Sequence, residues 1–235
     1  MTDLYRVTHE VGDFSEYTAT IDNHPGGGLS ISTSAGMVGT NLGLQAQSTG
    51  SSSEQSYAYV TISPPASNLI RFRYYADPNN LPLATDGSDI LLHTAITANA
   101  PFSSAGFFTA SFAKVGADYY FSFSMTDDLT GSNSRVVLAG QSRPYAVEVE
   151  LVRASSDVAA DGSMRIWLDN VEQTPVQNID NYDSFASMAA YTAGVVFASP
   201  TASGSIYLDE IVIRDHSLHI GPRSVRSWFG PGWGM

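Results

Sequence analysis

Glu148 and Glu150 are the carboxylate pair in this sequence best spaced for acid–base chemistry, since they lie two residues apart in YAVEVELVR (Tyr145–Arg153). Residues two apart in a strand share a face, so both side chains should point the same way. Paired carboxylates can divide the roles of acid and base when they line a cleft. The sequence contains no G-x-S-x-G nucleophile elbow. We expect a solvated strand face here and assign no catalytic residue.

Three aromatic residues are candidates for stacking on sugar rings, namely Tyr75, Tyr120 and Trp167. Each falls on the strand face opposite to the apolar residues of its segment, where an aromatic ring can be exposed. No loop combines several aromatic residues with Asn or Asp, so burial of these rings in a two-sheet structure is the alternative. Glycan binding therefore stays open as a role for these three residues.

Composition narrows the classes of partner. The chain has 235 residues, no cysteine and a formal net charge of −12 at pH 7. Phosphate binding draws its affinity from clustered Lys and Arg, so this acidity argues against a nucleic-acid partner. The N-terminal residues hold no apolar run long enough for a signal peptide or a transmembrane helix, and we expect no membrane association.

Alternation of apolar and polar residues dominates the sequence and predicts at least ten β-strands. Apolar residues alternate with arginines in Leu69–Tyr75, and aromatic residues alternate with serines in Tyr119–Met125. Each pattern is expected of a half-buried strand. After the strand Met164–Leu168, Asp169 and Asn170 are suited to a two-residue hairpin turn.

These strands predict one all-β domain. Clusters of Gly, Ser, Asn and Pro separate them, and no segment shows a convincing helical period. Many short strands without crossover helices indicate a two-sheet antiparallel jelly-roll sandwich over residues 1–215. The pattern then ends, and residues 216–235 are predicted to form an extended C-terminal arm.

Four segments resemble, in order, motifs of the concanavalin A-like or laminin G-like jelly-roll domains of phage virion proteins and bacterial secreted proteins. They are THEVGDFSEYTAT (Thr8–Thr20), LSISTSAGMVGTNLGLQ (Leu29–Gln45), DGSMRIWLDNVEQ (Asp161–Gln173) and GSIYLDEIVIRD (Gly204–Asp215). Tyr17 replaces the usual Trp, Asn170 the turn Gly, and Glu210 the second closing Asp. The resemblance implies a fold more than an activity, because this sandwich hosts lectins, hydrolases, lyases and structural modules.

Catalytic motifs known from such jelly rolls are incomplete here. Laminarinase-type hydrolases carry three carboxylates on one strand face, whereas the glutamate pair described above offers two. Phe112, Lys114 and Gly116 resemble part of a segment of jelly-roll alginate lyases, but Asp118 stands where the catalytic Tyr should be. The companion lyase motifs are absent. We therefore predict a protein that is not an enzyme.

The resemblance also implies a candidate calcium site at Glu10 and Asp209. Asp209 shares strand parity with Tyr207 and Ile211, so it should point to the interior, where an unpaired carboxylate is costly. In many carbohydrate-binding jelly rolls, the opening-strand Glu and the closing-strand Asp help to ligate a structural calcium. We favour the alternative, in which Asp209 hydrogen-bonds backbone or an arginine such as Arg6. No cofactor is required.

The C-terminal arm has no acidic residue, four Gly and two Pro. Its candidate partner-binding residues are Arg223, Arg226, Trp228, Phe229 and Trp233. Large aromatic residues are costly to leave in water, so we expect something to hold the arm. It either folds back on its own sandwich or inserts into a neighbouring acidic subunit, and we favour the neighbour.

These features together predict a non-catalytic structural or decoration protein of a larger assembly. The leading assembly is a bacteriophage virion, where the chain would be a head decoration or tail-associated subunit docked through its arm. Expected partners are further copies in a homo-oligomer, or a major capsid or tail protein. Lacking a signal peptide, it would be made in the host cytoplasm and carried in the virion, with an extracellular location as the alternative. The alternative function is a carbohydrate-binding module contacting host-surface glycans, and a glycoside hydrolase or polysaccharide lyase is less favoured.

Overall fold

The computed structural model describes residues 3–51, 53–62, 67–83, 88–97, 106–186 and 188–223. Within these ranges the chain is almost entirely β, with one 3-10 turn at Thr33–Ala35 and one five-residue helix, α1, at Tyr182–Ala186. No helix among them is long and apolar enough to cross a membrane. The strands are β1 (Tyr5–Val7), β2 (Ala19–Asp22), β3 (Leu29–Ser32), β4 (Gly43–Thr49), β5 (Ser56–Thr61), β6 (Leu69–Asp77), β7 (Asp89–Thr97), β8 (Phe108–Val115), β9 (Asp118–Asp127), β10 (Gly131–Ala139), β11 (Tyr145–Val152), β12 (Gly162–Leu168), β13 (Val171–Glu172), β14 (Val176–Ile179), β15 (Met188–Val195), β16 (Phe197–Ala198) and β17 (Ser203–Arg214).

The strands form two antiparallel sheets. Sheet A has the order β13-β12-β11-β6-β17-β4-β3, with β1 paired to β17 and β14 paired to β12. Sheet B has the order β10-β9-β8-β7-β15-β5-β2, with β16 paired to β7. Strands distant in sequence lie side by side, as where β17 separates β6 from β4, which is typical of a jelly roll. The predicted two-sheet antiparallel sandwich is confirmed.

The core lies between the sheets and is built from the apolar residues that alternate along each strand. Phe72 of sheet A is fully buried and stacks on two rings of sheet B. Its ring centroid lies 5.7 Å from that of Phe108 and 4.7 Å from that of Tyr191. Large aromatic side chains bury the most apolar area per residue, so such stacks join the two layers.

Strands β6 and β11 differ from the prediction, because both of their faces are buried. On the face away from the core, Arg71, Glu148 and Glu150 are each 3% exposed and Arg73 is 4% exposed. The predicted solvated face is therefore wrong. These charged side chains pair across neighbouring strands, and residues 219–223 bind Glu148 and Glu210 on the same face.

Candidate binding face on sheet A

The face of sheet A that points away from sheet B carries a row of charged and aromatic side chains, which we call the outer face. Strand register brings them together, since Glu148 of β11 lies opposite Arg73 of β6 and Trp167 of β12. Glu150 lies opposite Arg71 and Arg165 in the same way. Opposite charges on facing residues stabilise a strand pair. The outer face comprises Arg71, Arg73, Tyr75, Glu148, Glu150, Arg165, Trp167 and Glu210.

Arginines and glutamates of the outer face form buried ion pairs. Arg71 donates from Nη1 to Glu148 Oε1 at 2.6 Å and from Nη2 to Glu150. Arg73 donates from Nη2 to Glu210 Oε2 at 3.1 Å. The planar guanidinium of Arg71 can serve two carboxylates at once, which a lysine ammonium serves less well.

Glu210 reaches Arg73 because β17 contains a β-bulge. Asp209 lies opposite Tyr75 and Val212 lies opposite Arg73, so Glu210 and Ile211 together face a single residue of β6. Glu210 has a φ of +49°, in the left-handed region. A bulge re-aims side chains and shifts the alternation of the strand by one residue.

This shift corrects the predicted orientation of Asp209. Before the bulge the core residues are Ile206 and Leu208, and after it they are Ile211 and Ile213. Asp209 therefore belongs to the outer side and does not share a face with Ile211. It is fully buried there, under the loop that precedes β4.

Two aromatic rings are held within this charged row. The guanidinium carbons of Arg71 and Arg165 lie 5.0 Å and 4.9 Å from the ring centroid of Trp167. That of Arg73 lies 5.0 Å from the Tyr75 ring centroid. Such cation–π contacts fix the orientation of each ring.

Residues 216–223, which we call the strap, follow β17, and residues 219–223 of the strap cross the outer face. At one end, the His219 ring packs on Trp167 with centroids 5.0 Å apart, and its Nε2 lies 3.1 Å from Glu148 Oε2. The amide of Ile220 donates to Glu148 Oε1 at 3.0 Å, and that of Gly221 donates to Oε2 at 2.8 Å. Gly221 has a φ of +67°, a conformation that suits glycine.

At its other end the strap binds Tyr75 and Glu210. The Arg223 amide donates to the Tyr75 hydroxyl at 2.5 Å, and Arg223 Nη1 donates to Glu210 Oε1 at 2.8 Å. Burial raises the pKa of Tyr75, more than the neighbouring arginine groups lower it, so the hydroxyl stays protonated at neutral pH. The described part of the arm thus folds back on its own sandwich. The sequence alone instead favours insertion of the arm into a neighbouring subunit.

The strap leaves a small cavity beside Trp167. It is large enough for about one water molecule and too small for a sugar ring. Arg73 lines it, and within the described part of the chain Nε and Nη1 of this buried arginine have no hydrogen-bond partner. The other lining residues are Ala146, Val147, Glu148, Trp167, Asn170, His219, Gly221 and Pro222.

The predicted glycan-binding residues are only partly brought together. Tyr75 and Trp167 share the outer face but are 2% and 7% exposed, rather than exposed as predicted. The strap contacts both side chains, and Met37 and Val38 of the loop before β4 also pack with Tyr75. Tyr120 lies on β9 of sheet B, opposite Ala113 and Leu138, and is half-buried. It contributes nothing to the outer face of sheet A.

The predicted partner-binding residues lie mostly beyond the described chain. Arg226, Trp228, Phe229 and Trp233 fall outside the residues that the structure describes. Arg223 is described, and it binds Tyr75 and Glu210 as given above. Its donors complement carboxylate and hydroxyl oxygens of its own sheet, which gives the physical reason for this docking.

The candidate calcium ligands have separate hydrogen-bond partners. Asp209 accepts from the Met37 amide at 2.9 Å and from His9 Nδ1 at 3.1 Å, and also from Thr40 Oγ1. His9 Nε2 in turn lies 2.8 Å from the Tyr17 hydroxyl. These partners include backbone, as the favoured alternative required, whereas Arg6 pairs instead with Asp3 and Glu210.

Glu10 is exposed and binds a different stretch of the same loop. It accepts from the Asn41 amide at 2.7 Å and from the Leu42 amide at 3.0 Å. Desolvation opposes ionisation, but hydrogen bonds from the Asn41 side chain and from these two amides hold the pKa of Glu10 below its usual value. Among the residues described, no three His, Asp or Glu side chains are grouped so as to hold a metal ion.

No protein family profile and no curated protein matches the sequence. Solved structures match the fold. The T. cruzi calreticulin globular domain is 12% identical, with coverage of 92% of this chain and 89% of that chain and a TM-score of 0.61. An endo-β-1,4-glucuronan lyase from the fungus Trichoderma reesei is 13% identical, with coverage of 90% and 95% and a TM-score of 0.62.

A third match is domain 4 of AbnA, a GH43 extracellular arabinanase from Geobacillus stearothermophilus, in complex with arabinotriose. It is 16% identical, with coverage of 90% of this chain and 91% of that chain and a TM-score of 0.52. At such identities the likeness shows the fold alone, a jelly-roll-like β-sandwich consistent with the predicted concanavalin A-like fold. These matches include glycan-active and carbohydrate-binding proteins, and the three described here give no evidence of a phage origin.

Proposed function

We propose that this chain is a carbohydrate-binding jelly-roll protein and that the outer face of sheet A is its binding face. The observation that carries the proposal is the grouping of Tyr75 and Trp167 with paired arginines and glutamates on one sheet face. Sugar recognition needs these two kinds of group. Aromatic rings pack on the apolar side of a sugar ring, and charged side chains hydrogen-bond its hydroxyl groups.

The matched structures support this proposal through their fold. One is a domain solved in complex with arabinotriose, and another is a glucuronan lyase. A shared fold does not establish a shared function, so the weight rests on the side chains of the outer face.

We favour binding over catalysis because the candidate carboxylates are already engaged. Glu148 and Glu150 share Arg71, and Glu148 also accepts from two strap amides. A general acid or base must be free to exchange a proton with substrate. Carboxylates held by a guanidinium are better suited to fixed hydrogen-bonding.

The virion decoration hypothesis has less in its favour. It relied on an arm that docks on another subunit, whereas residues 219–223 bind their own sheet. The three matched structures described above are a calreticulin domain, a glucuronan lyase and an arabinanase domain, so they lend this hypothesis no support. We therefore place carbohydrate binding first, as a module that would contact glycans of a cell surface.

A glycan array followed by calorimetry on the glycans that bind tests the proposal. Trp167→Leu removes the stacking ring and should weaken binding about 2- to 10-fold, the range of one aromatic contact. The matched control is Tyr120→Leu, which removes an aromatic ring from sheet B and should leave affinity unchanged. Circular dichroism is used to check that both variants fold.

Two results would contradict the proposal. One is equal loss of affinity in both variants, which would place the site elsewhere. The other is an array without binding for both the natural chain and Arg223→Ala, in which the strap has lost its ion pair to Glu210.

A further inference from the structure

The strap presents hydrogen-bond donors to the outer face. In the described residues, each hydrogen bond between the two has its donor on the strap and its acceptor on the face. Glu148 accepts from the amides of Ile220 and Gly221, while Glu210 accepts from Arg223. The strap thus occupies the oxygens that a ligand with hydroxyl donors would use.

The outer face also offers donors that the strap does not use. Arg73 is 4% exposed, lines the cavity beside Trp167, and has Nε and Nη1 without a hydrogen-bond partner in the described residues. A buried polar atom without a partner is unfavourable, so a group that accepts from Arg73 would be stabilised there. A sugar hydroxyl can accept from Arg73 and donate to Glu148 at the same time.

Charge separates two classes of saccharide at this site. Without the strap, the charges of this face balance, because Arg71, Arg73, Arg165 and Arg6 pair with four glutamates. These glutamates are Glu148, Glu150, Glu210 and Glu172. A sugar carboxylate has no hydrogen to donate to Glu148 or Glu210, so it would leave the acceptors that the strap releases without a donor and would itself lie beside two carboxylates. A saccharide that carries only hydroxyl groups meets neither penalty.

Space requires that the strap leave before a sugar binds. The cavity beside Trp167 holds about one water molecule, and His219 covers the Trp167 ring. The strap side chains are accessible, since His219 is 36% exposed and Arg223 is 44% exposed. Their partners Glu148 and Glu210 are 3% and 1% exposed, so a displaced strap leaves both carboxylates in need of new donors, which a ligand with hydroxyl groups supplies.

We propose that the strap fills the saccharide site as an internal competitor, and that the donors it presents mark the ligand as a saccharide without carboxylate groups. This inference rests on the proposed function. It adds the ligand class and the competition between ligand and strap.

Calorimetry on the full chain tests both parts, with cellohexaose and arabinotriose as neutral probes and an alginate tetrasaccharide as the carboxylate-bearing probe. Arg223→Ala should tighten binding of a neutral probe about two- to fivefold, because the weakened strap competes less. Lys114→Ala, the matched control, removes a positive charge from sheet B and should leave affinity unchanged. A neutral probe should also speed hydrogen exchange at the amides of Ile220 and Gly221, whose bonds to Glu148 must break.

The outcomes separate this inference from the proposed function. Alginate binding as tight as that of the neutral probes would overturn the ligand class. If a neutral probe binds with the same affinity to Arg223→Ala as to the natural chain, and does not speed hydrogen exchange at Ile220 and Gly221, the ligand does not compete with the strap. In both cases carbohydrate binding itself would stand. If neither the natural chain nor Arg223→Ala binds these probes or any glycan of the array, the proposed function and the inference are refuted together.

Discussion

Replacing Arg71 with methionine tests whether the buried ion pairs of the outer face hold the sandwich together. Arg71 is 3% exposed and lies between Glu148, at 2.6 Å, and Glu150. Methionine keeps an apolar stem of similar length but leaves both carboxylates without this counter-charge. Removing one partner of a buried pair costs about 3–5 kcal/mol, since the remaining charge stays desolvated.

For a domain of this size, each kcal/mol lowers the melting temperature by about 2–4 °C. Arg71→Met should therefore melt about 6–20 °C below the natural chain, as followed by far-UV circular dichroism and checked by urea unfolding. The matched control is Arg143→Met. Arg143 pairs with Asp169 at 2.6 Å, but the two side chains are 56% and 37% exposed. Exposed pairs are worth at most about 1 kcal/mol, so this variant should unfold almost as the natural chain does.

A third variant separates charge from packing. Changing Glu148 and Glu150 to Gln in the Arg71→Met chain removes both charges that Arg71 neutralises and should recover most of the lost stability. An Arg71→Met chain within about 1 kcal/mol of the natural one would refute the reasoning, because its buried pairs would then behave like exposed ones.

Two further predictions concern groups outside the ion pairs. Burial lowers the pKa of His93 to about 3, against a smaller opposing effect of its bond to the Thr192 carbonyl. The unfolded chain binds a proton near pH 6.5, so His93 costs about 2–3 kcal/mol of stability on acidification to pH 4.5. Urea titrations of His93→Phe should show a pH dependence smaller by that amount, and an unchanged slope would contradict the assignment. Excess EGTA should leave the melting temperature unchanged, because Asp209 and Glu10 accept hydrogen bonds from protein donors. A melting temperature that falls with EGTA and is restored by calcium would show that the fold depends on a bound calcium ion.

The sequence predicts correctly which side chains lie in the core where the alternation of apolar and polar residues along a strand is unbroken. Alternation along β6 and β9 places Phe72 and Phe123 in the core, and both are fully buried. The predicted turn after β12 also forms, with φ values of +51° at Asp169 and +69° at Asn170. Both lie in the left-handed region that a tight two-residue hairpin turn requires. These features depend on residues close in sequence.

The sequence does not predict the orientation or burial of side chains that depend on contacts between distant segments of the chain. The bulge in β17 shifts the parity of Asp209, and the extra residue at Glu210 carries no pattern that predicts it. The burial of Arg71 follows from the pairing of β6 with β11, strands about 75 residues apart in the chain. The complementary segments RFR and EVE are a usable signal, since alternating arginines and alternating glutamates match when two strands pair.

The covalent link between the strap and β17 favours the strap over the arm of another copy for binding to the outer face. The strap follows directly from β17, which ends at Arg214, so it stays close to the outer face at all times. Such a tethered segment has an effective concentration of the order of millimolar. The arm of a neighbouring copy offers the same donors but must reach a similar local concentration to replace it. Exchange of arms between copies therefore requires an assembly that brings the copies together first. A saccharide is also untethered, so it displaces the strap only where the ratio of its concentration to its dissociation constant exceeds the equilibrium constant for closing the strap.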